Sequence, residues 1–352
     1  MRRHLLVAAA VAVVVALPPL LSSSHLAVFT LLGLAATVTV GLSLLMGYAG
    51  QVSLGQASFY AIGAYTAGLL SVHGVPTLVG LAAAPVAAAL FATVVGVSLL
   101  RLRGHHLAFA TLATQLILLS LLARGEWAGG AIGLQGIPRL SIGGYEFADD
   151  LGYAYLAWAA LGLTVLLTAN VMASRPGRGL RALATSEVAA AASGVPVGRY
   201  RLAVFALSAA FAGLAGGVYA FYLGYLAPGS FPILLSIEYV VMAVVGGLGT
   251  VWGAVAGATA IMLLVQLLTT IGTQPGMPSY APSVLSYAVY AVVLVLVVLF
   301  LPRGIVPAAQ DARARLLPRL ASDRPKERPD GGPQGPGGRR HRRWPRSRAG
   351  LR

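Results

Sequence analysis

A long stretch without charge dominates the N-terminal third of the sequence. From His4 to Leu100 there is no Asp, Glu, Lys or Arg. A helix needs about 20 apolar residues to cross the hydrocarbon core of a bilayer, so this stretch has room for several crossings. Over the whole chain 57% of the residues are hydrophobic and 10% are charged, whereas an ordinary soluble domain has about 25% charged residues. The sequence therefore predicts a membrane-embedded protein.

The apolar runs favour helices over strands. Residues 78–100 form a continuous run rich in Ala and Leu, unlike the alternating segments of about ten residues in a membrane barrel. A helix also satisfies its own backbone hydrogen bonds in lipid. We predict an all-α integral membrane protein, a polytopic helical bundle of about ten membrane segments with glycine-broken helices. The predicted segments are 5–21, 26–46, 59–73, 78–100, 107–123, 151–173, 202–225, 233–245, 250–271 and 282–301.

The distribution of arginines predicts the orientation, because short cytoplasmic loops collect Lys and Arg. Arg101 and Arg103 mark one cytoplasmic turn, and the loop 175–201 holds five further arginines. The loop 124–150 mixes two Arg with four acidic residues and is predicted to be extracytoplasmic. Both termini are then cytoplasmic. The first 21 residues also have the basic and apolar regions of a signal peptide, and cleavage there would not change the direction of the next segment.

The C-terminal end differs in composition from the rest of the chain. Residues 302–352 carry fourteen Lys or Arg against four Asp or Glu and are rich in Pro and Gly. We predict a transmembrane domain over 1–307 and a disordered, basic cytoplasmic tail over 308–352. Such a tail suits anionic lipid headgroups. Contact with nucleic acid is the alternative for a basic tail, and we expect no nucleic-acid partner.

Two stretches are punctuated by glycine: GYAGQVSLGQASFYAIGAY at 47–65 and VGGLGTVWGAVAGA at 245–258. Glycine lets a helix break or approach a neighbour closely. Broken helices in two halves of a membrane protein point to a transport path, whereas close packing of small residues is the alternative. We predict that a solute path runs beside both stretches. Its residues are Gln51, Ser53, Gln56 and Ser58 in the first stretch, and Gly246, Gly247 and Gly249 in the second.

Several kinds of chemistry are excluded or unsupported. The chain has no Cys, so it has no disulfide or thiolate metal site, and its six His are scattered. We predict no catalytic residue and no metal. The single lysine, Lys326, lies in the tail, so the chain has no phosphate-binding loop of the G-x-x-x-x-G-K-[ST] type. Glu238 is the carboxylate of the long C-terminal apolar region, and we interpret it as an anchor at the start of a helix.

The cytoplasmic stretch RPGRGLRALATSEVAAAASGVPVGRY at 175–200 carries the remaining signal. Its Ala-rich part predicts one surface helix over 179–193, which Gly194 ends and Pro196 cannot continue. A helix that protrudes from a membrane bundle is suited to docking into the groove of a partner. A structural elbow between two spans is the alternative.

The chain resembles the permeases of branched-chain amino acid ABC transporters, the LivM-type subunit in particular. The resemblance rests on residues 47–67, on GGAIGLQGIP at 129–138, and on the stretches 177–220 and 236–258. It implies a coupling helix that contacts an ATPase, with Glu187, Ala189, Ala190 and Gly194 as a variant of the EAA loop that is one residue longer than usual. It also implies a bacterial cell membrane location, two ATPase subunits that bind the ATP, a second homologous permease and an extracytoplasmic binding protein.

Two functions from different classes remain open. The first is a permease subunit of an ATP-driven importer for branched-chain or related small amino acids. The second is a self-contained channel or ion-coupled carrier of small solutes such as urea or amides. The first needs the cytoplasmic helix as a docking surface, and the second does not.

Overall fold

The computed structural model describes residues 14–102, 105–272, 288, 292 and 304–306. Within them the chain is helical apart from turns and one two-stranded hairpin, in which Ser141–Ile142 (β1) pairs antiparallel with Tyr145–Glu146 (β2). The helices are α1 (Ser23–Ala49), α2 (Gln56–Val72), α3 (Thr77–Leu99), α4 (His105–Arg124), α5 (Asp150–Ala173), α6 (Arg175–Thr185), α7 (Glu187–Ala192), α8 (Val197–Leu223), α9 (Ile233–Gly246) and α10 (Val251–Gly272).

The predicted membrane segments correspond to these helices where the structure describes them. Seven stretches in the described residues are long and apolar enough to cross a membrane: Ser23–Ala49, Thr77–Leu99, His105–Arg124, Asp150–Ala173, Val197–Leu223, Pro228–Gly246 and Val251–Ile271. Helix α2 has 17 residues, which is at the lower limit of the about 17–25 residues of a membrane-crossing helix, and it is not one of these seven stretches. The predicted segment 282–301, most of 5–21 and the tail 308–352 lie outside the described residues. The count of about ten stays a prediction.

Helix α1 lies at the centre of the bundle. In its most apolar 18 residues, 89% of the positions are buried, against 28% in α3, α4, α5 and α10. It packs against α5, α8, α9 and α10. A helix that is apolar on all sides and surrounded by other helices is what a membrane bundle requires at its core.

Helix α3 shows how an outer helix divides its surface. Every fourth residue is small and buried, namely Gly80, Ala84, Ala88, Ala92 and Gly96. Positions four apart lie on one helix face, and this small-residue face packs against α2 and α8. The other faces carry exposed Val86, Leu90 and Val94. Small residues between helices and large apolar residues outside are typical of a helix that faces lipid on one side.

The loops fall at two opposite ends of the bundle. Leu134, in the loop 124–150, and Leu226, after α8, exchange two backbone hydrogen bonds of 2.8 and 3.0 Å. At the other end the backbone nitrogen of Gly249 donates to the carbonyl oxygen of Ser43, 3.2 Å away. Thr168 and Met172, near the end of α5, line the same small cavity as Gly249. The loops 124–150 and 175–201 are therefore at opposite ends, as a multi-pass chain requires.

Candidate functional site

The connection between α5 and α8 folds into two short helices, α6 and α7. The prediction of one helix over 179–193 is wrong, because the backbone of Ser186 is extended with φ −160° and ψ 119°. The Ser186 side-chain oxygen accepts a hydrogen bond of 3.3 Å from the backbone nitrogen of Ala189. A serine in this position caps the N-terminus of a new helix, and α7 therefore begins at Glu187.

Helix α6 is amphipathic and lies against the end of α5. Leu180 and Leu183 are buried, whereas Arg178 and Arg181 are exposed. The Nη1 atom of Arg181 donates a hydrogen bond of 2.9 Å to the carbonyl oxygen of Met172. The two buried leucines and the hydrogen bond of Arg181 together fix the position of α6 on the bundle.

Helix α7 presents part of its surface to the outside. Ala190 is buried, whereas Ala189 and Gly194 are exposed and Val188 is 80% exposed. Gly194 has a φ of +80°, and a Cβ atom there would meet nothing within 4 Å. Glycine is needed at this position for its backbone conformation. The predicted coupling residues therefore lie together at the tip, with Ala190 turned inward.

An ion pair ties α7 to the first turns of α8. The Oε1 and Oε2 atoms of Glu187 accept hydrogen bonds of 2.9 Å each from Nη1 and Nη2 of Arg201. The two side chains are 42% and 22% exposed, respectively. A planar guanidinium that binds a carboxylate through two parallel bonds fixes direction as well as distance. Glu187 thus holds the short helix in place.

The first group of predicted path residues is buried around the start of α2. Gln51, Ser53, Gln56 and Ser58 are all at most 4% exposed. The Nε2 atom of Gln56 donates to the carbonyl oxygen and to the Oγ atom of Ser208, at 3.1 and 3.0 Å. The Oε1 atoms of Gln51 and Gln56 have no hydrogen-bond partner among the described residues. Their role as a solute path stays a prediction.

A second buried polar group was not predicted from the sequence. Ser236 in α9 accepts a hydrogen bond of 2.9 Å from the backbone nitrogen of Ala57 and donates one of 2.7 Å to Oε1 of Gln115. Gln115 in turn donates to the carbonyl oxygen of Pro232 at 3.2 Å. Serine and glutamine inside apolar runs were the available signal, since polar side chains in membrane spans commonly bond across helices.

Replacing Ser236 by alanine tests this link between α2, α4 and α9. We expect Ser236→Ala to lower the free energy of unfolding by about 1–3 kcal/mol, because it leaves the nitrogen of Ala57 and the amide oxygen of Gln115 without their buried partner. Thermal unfolding of the purified chain in detergent measures the change. Thr93→Ala is the control, since Thr93 donates to Ala89 of its own helix. An equal loss of stability in both variants would contradict the cross-helix role.

The second group of predicted path residues lies where α9 passes into α10. A Cβ atom on Gly246 would overlap the carbonyl oxygen of Gly253, and Gly247 and Gly249 have φ values of +111° and +75°. A Cβ atom on Gly47 would overlap the backbone nitrogen of Gly249. The two glycine stretches therefore meet at Gly47 and Gly249 by close backbone packing. Residues 50–55 and 247–250 are not helical, and each segment connects one helix to the next. Whether a single membrane span is broken by glycine there stays a prediction.

Glu238 has a different place from the one expected. It is the sixth residue of α9, and the first turn of that helix has no acidic residue, so its interpretation as a helix-start anchor is wrong. It lines a cavity of about 230 Å³ together with Tyr60, Tyr219, Ser230 and Tyr239. In the described part of the chain, no group of three or more His, Asp or Glu side chains could hold a metal ion.

A family model described as "Branched-chain amino acid transport system / permease component" matches residues 21–298. The chain belongs to this permease family. Two relatives carry the name "High-affinity branched-chain amino acid transport system permease protein LivM", one from Salmonella typhimurium and one from Escherichia coli. Each is 28% identical over 333 residues, which cover 87% of this chain and 75% of the relative. No solved structure matches significantly.

Membership of this permease family and the apolar helices together make the chain a multi-pass membrane protein that acts in transport. A permease component is one part of a transport complex, and the family consists of transporter subunits.

Proposed function

We propose that this permease is the membrane-spanning subunit of an ATP-binding-cassette importer for branched-chain or related small amino acids. It forms part of the translocation path and couples to a separate ATPase. The observation that carries the proposal is the α6–α7 connection, which presents Val188 and Ala189 outward on a support fixed by buried leucines and by the pair of Glu187 with Arg201. A protruding helix of this kind is suited to docking into the groove of a partner.

The sequence has no phosphate-binding loop of the G-x-x-x-x-G-K-[ST] type, since its single lysine, Lys326, lies in the tail. The proposal therefore includes two ATPase subunits that bind ATP, a second homologous permease and an extracytoplasmic binding protein. The loop 175–201 and both termini then face the cytoplasm of a bacterial cell, because the arginines collect in that loop. The LivM relatives, by their name, act in branched-chain amino acid transport.

One observation favours the self-contained carrier of small solutes such as urea or amides. Glu238 is a carboxylate inside a predicted span, and such residues mark ion or proton pathways in carriers. The same residue is compatible with an importer subunit.

Reconstitution separates the two functions. In proteoliposomes that contain this chain alone, a proton or sodium gradient is expected to drive no accumulation of L-leucine, because the energy must come from a partner. The complete complex with ATP is expected to accumulate it. The measurement is radiolabelled uptake, and the control is the complete complex with a non-hydrolysable ATP analogue. Concentrative uptake by the chain alone would overturn the importer and support the carrier.

A further inference from the structure

The cavity beside Glu238 gathers polar groups from three separate helices. Tyr60 belongs to α2, Tyr219 to α8, and Glu238 and Tyr239 to α9. Ser230, in the connection before α9, also lines the cavity. Tyr60 and Tyr239 are at most 4% exposed. The rings of Tyr60 and Tyr219 have centroids 5.3 Å apart, and those of Tyr60 and Tyr239 are 6.3 Å apart. The tyrosines thus form one aromatic wall.

Three polar groups of this cavity lack protein partners. Among the described residues, no hydrogen bond or ion pair reaches the carboxylate of Glu238 or the hydroxyls of Tyr60 and Tyr239. A carboxylate inside a membrane span is costly and is usually paired or functional. The two tyrosine hydroxyls are not among the fully enclosed, unpartnered side-chain atoms of the described residues, so they open onto the cavity. The unpaired groups therefore point to a ligand that the protein itself does not supply.

The carboxylate of Glu238 and the tyrosine rings indicate what kind of ligand this cavity would bind. A carboxylate attracts a cation, and tyrosine ring faces attract a cation too. A primary ammonium group satisfies both attractions. It has three hydrogen-bond donors, which can bond to a carboxylate oxygen and to neighbouring hydroxyls. The apolar side of the cavity, with Leu31, Leu235 and Met242, suits a short hydrocarbon chain.

The volume agrees with a small amino acid. A protein cavity of about 150 Å³ accepts benzene, a ring of six carbon atoms. The cavity beside Glu238 has a volume of about 230 Å³. In proportion, it accepts a molecule of about nine non-hydrogen atoms. Leucine has that number.

We propose that this cavity is a solute-binding site in which Glu238 takes the ammonium group of a small apolar amino acid. The site lies towards the end of the bundle that carries the loop 124–150, because Ser230 belongs to the connection that pairs with that loop through Leu226. This inference rests on the proposed import of amino acids, and it adds the place in the fold at which the permease binds its solute.

The absence of Cys from the sequence allows a direct test by thiol protection. Ser230→Cys places a single thiol at the cavity. With the full chain in nanodiscs, the rate of labelling by a water-soluble maleimide is measured with L-leucine, with isoamylamine, which lacks the carboxylate, and with isocaproate, which lacks the amine. We expect L-leucine and isoamylamine to slow the labelling, and isocaproate to leave it unchanged.

Adding Glu238→Gln to Ser230→Cys is expected to raise the half-protecting concentration of isoamylamine at least about tenfold, because a hydrogen bond to a charged group is lost. The matched control is Glu146→Gln, a glutamate exposed in the hairpin, which should leave protection unchanged. Equal protection by isocaproate and isoamylamine, no protection by any of the three, or full protection in Glu238→Gln would overturn the site.

If Glu238→Gln fails to fold, the three ligands on Ser230→Cys alone decide the question. The assay contains no ATP, so its outcome is independent of the reconstitution experiment. A permease that proves not to need an ATPase can still show the site, and one that needs it can lack the site.

Discussion

Alanine at Gly63 is expected to destabilise the folded chain by about 3 kcal/mol, the upper end of the cost of overpacking. A Cβ atom at this position would overlap the carbonyl oxygen of Gly213 and would lie 2.6 Å from its carbonyl carbon. The obstructing atoms belong to backbone, so relief requires that α2 and α8 move apart. Gly216 has the same relation to the carbonyl oxygen of Tyr60, so the two helices touch at a second position about one turn away.

The measurement is the yield of monodisperse protein after extraction, followed by its melting temperature in detergent. Gly162→Ala is the matched control, because Gly162 lies within α5 and a Cβ atom there would meet nothing within 4 Å. Alanine is the better helix former by about 1 kcal/mol, so Gly162→Ala should match or exceed the original stability. Similar melting temperatures for both variants would contradict the close crossing of α2 and α8.

Within the described residues, several helices of this permease could be predicted closely from its sequence, because the bilayer imposes a length and a composition on a crossing. The segment 78–100 became α3 (Thr77–Leu99) with nearly the same ends, and 151–173 became α5 (Asp150–Ala173). The two-helix connection could be predicted less well. Alanine favours helix on both sides of Ser186, and the break there depends on a hydrogen bond between the Ser186 side chain and its own backbone, a choice that propensity does not decide.

The candidate site could be predicted in part. Glycines of one stretch look alike in the sequence, yet Gly50 turns the chain with a φ of +64° and Gly63 admits a neighbouring helix. Which of these roles a glycine has depends on what faces it. Glu238 was visible in the sequence as the carboxylate of an apolar region, but its cavity partners Tyr60 and Tyr219 come from distant segments. Their meeting depends on how α2, α8 and α9 pack.

Reversing the charge of Glu187 is expected to uncouple ATP hydrolysis from uptake in the assembled importer. Glu187→Arg removes both hydrogen bonds to Arg201 and places two guanidinium groups side by side. Because both side chains are partly exposed, the pair is worth no more than about 1 kcal/mol in stability. We therefore expect the chain to fold and α7 to lose its fixed direction, with substrate-stimulated ATP hydrolysis lowered about fivefold, the effect of about 1 kcal/mol on an equilibrium that couples two sites.

The double variant Glu187→Arg with Arg201→Glu restores a pair of opposite charges across the same gap, so it should recover most of the stimulation in nanodiscs. Arg199→Glu is the matched control, since it makes the same change of charge as Arg201→Glu at an exposed position two residues away. If the ion pair acts by orienting α7, Arg201→Glu alone fails, Arg199→Glu does not, and the double variant is rescued. A double variant as defective as Glu187→Arg would instead mean that Glu187 acts on the ATPase through its own charge, because the intramolecular pair would then be intact while coupling stayed lost.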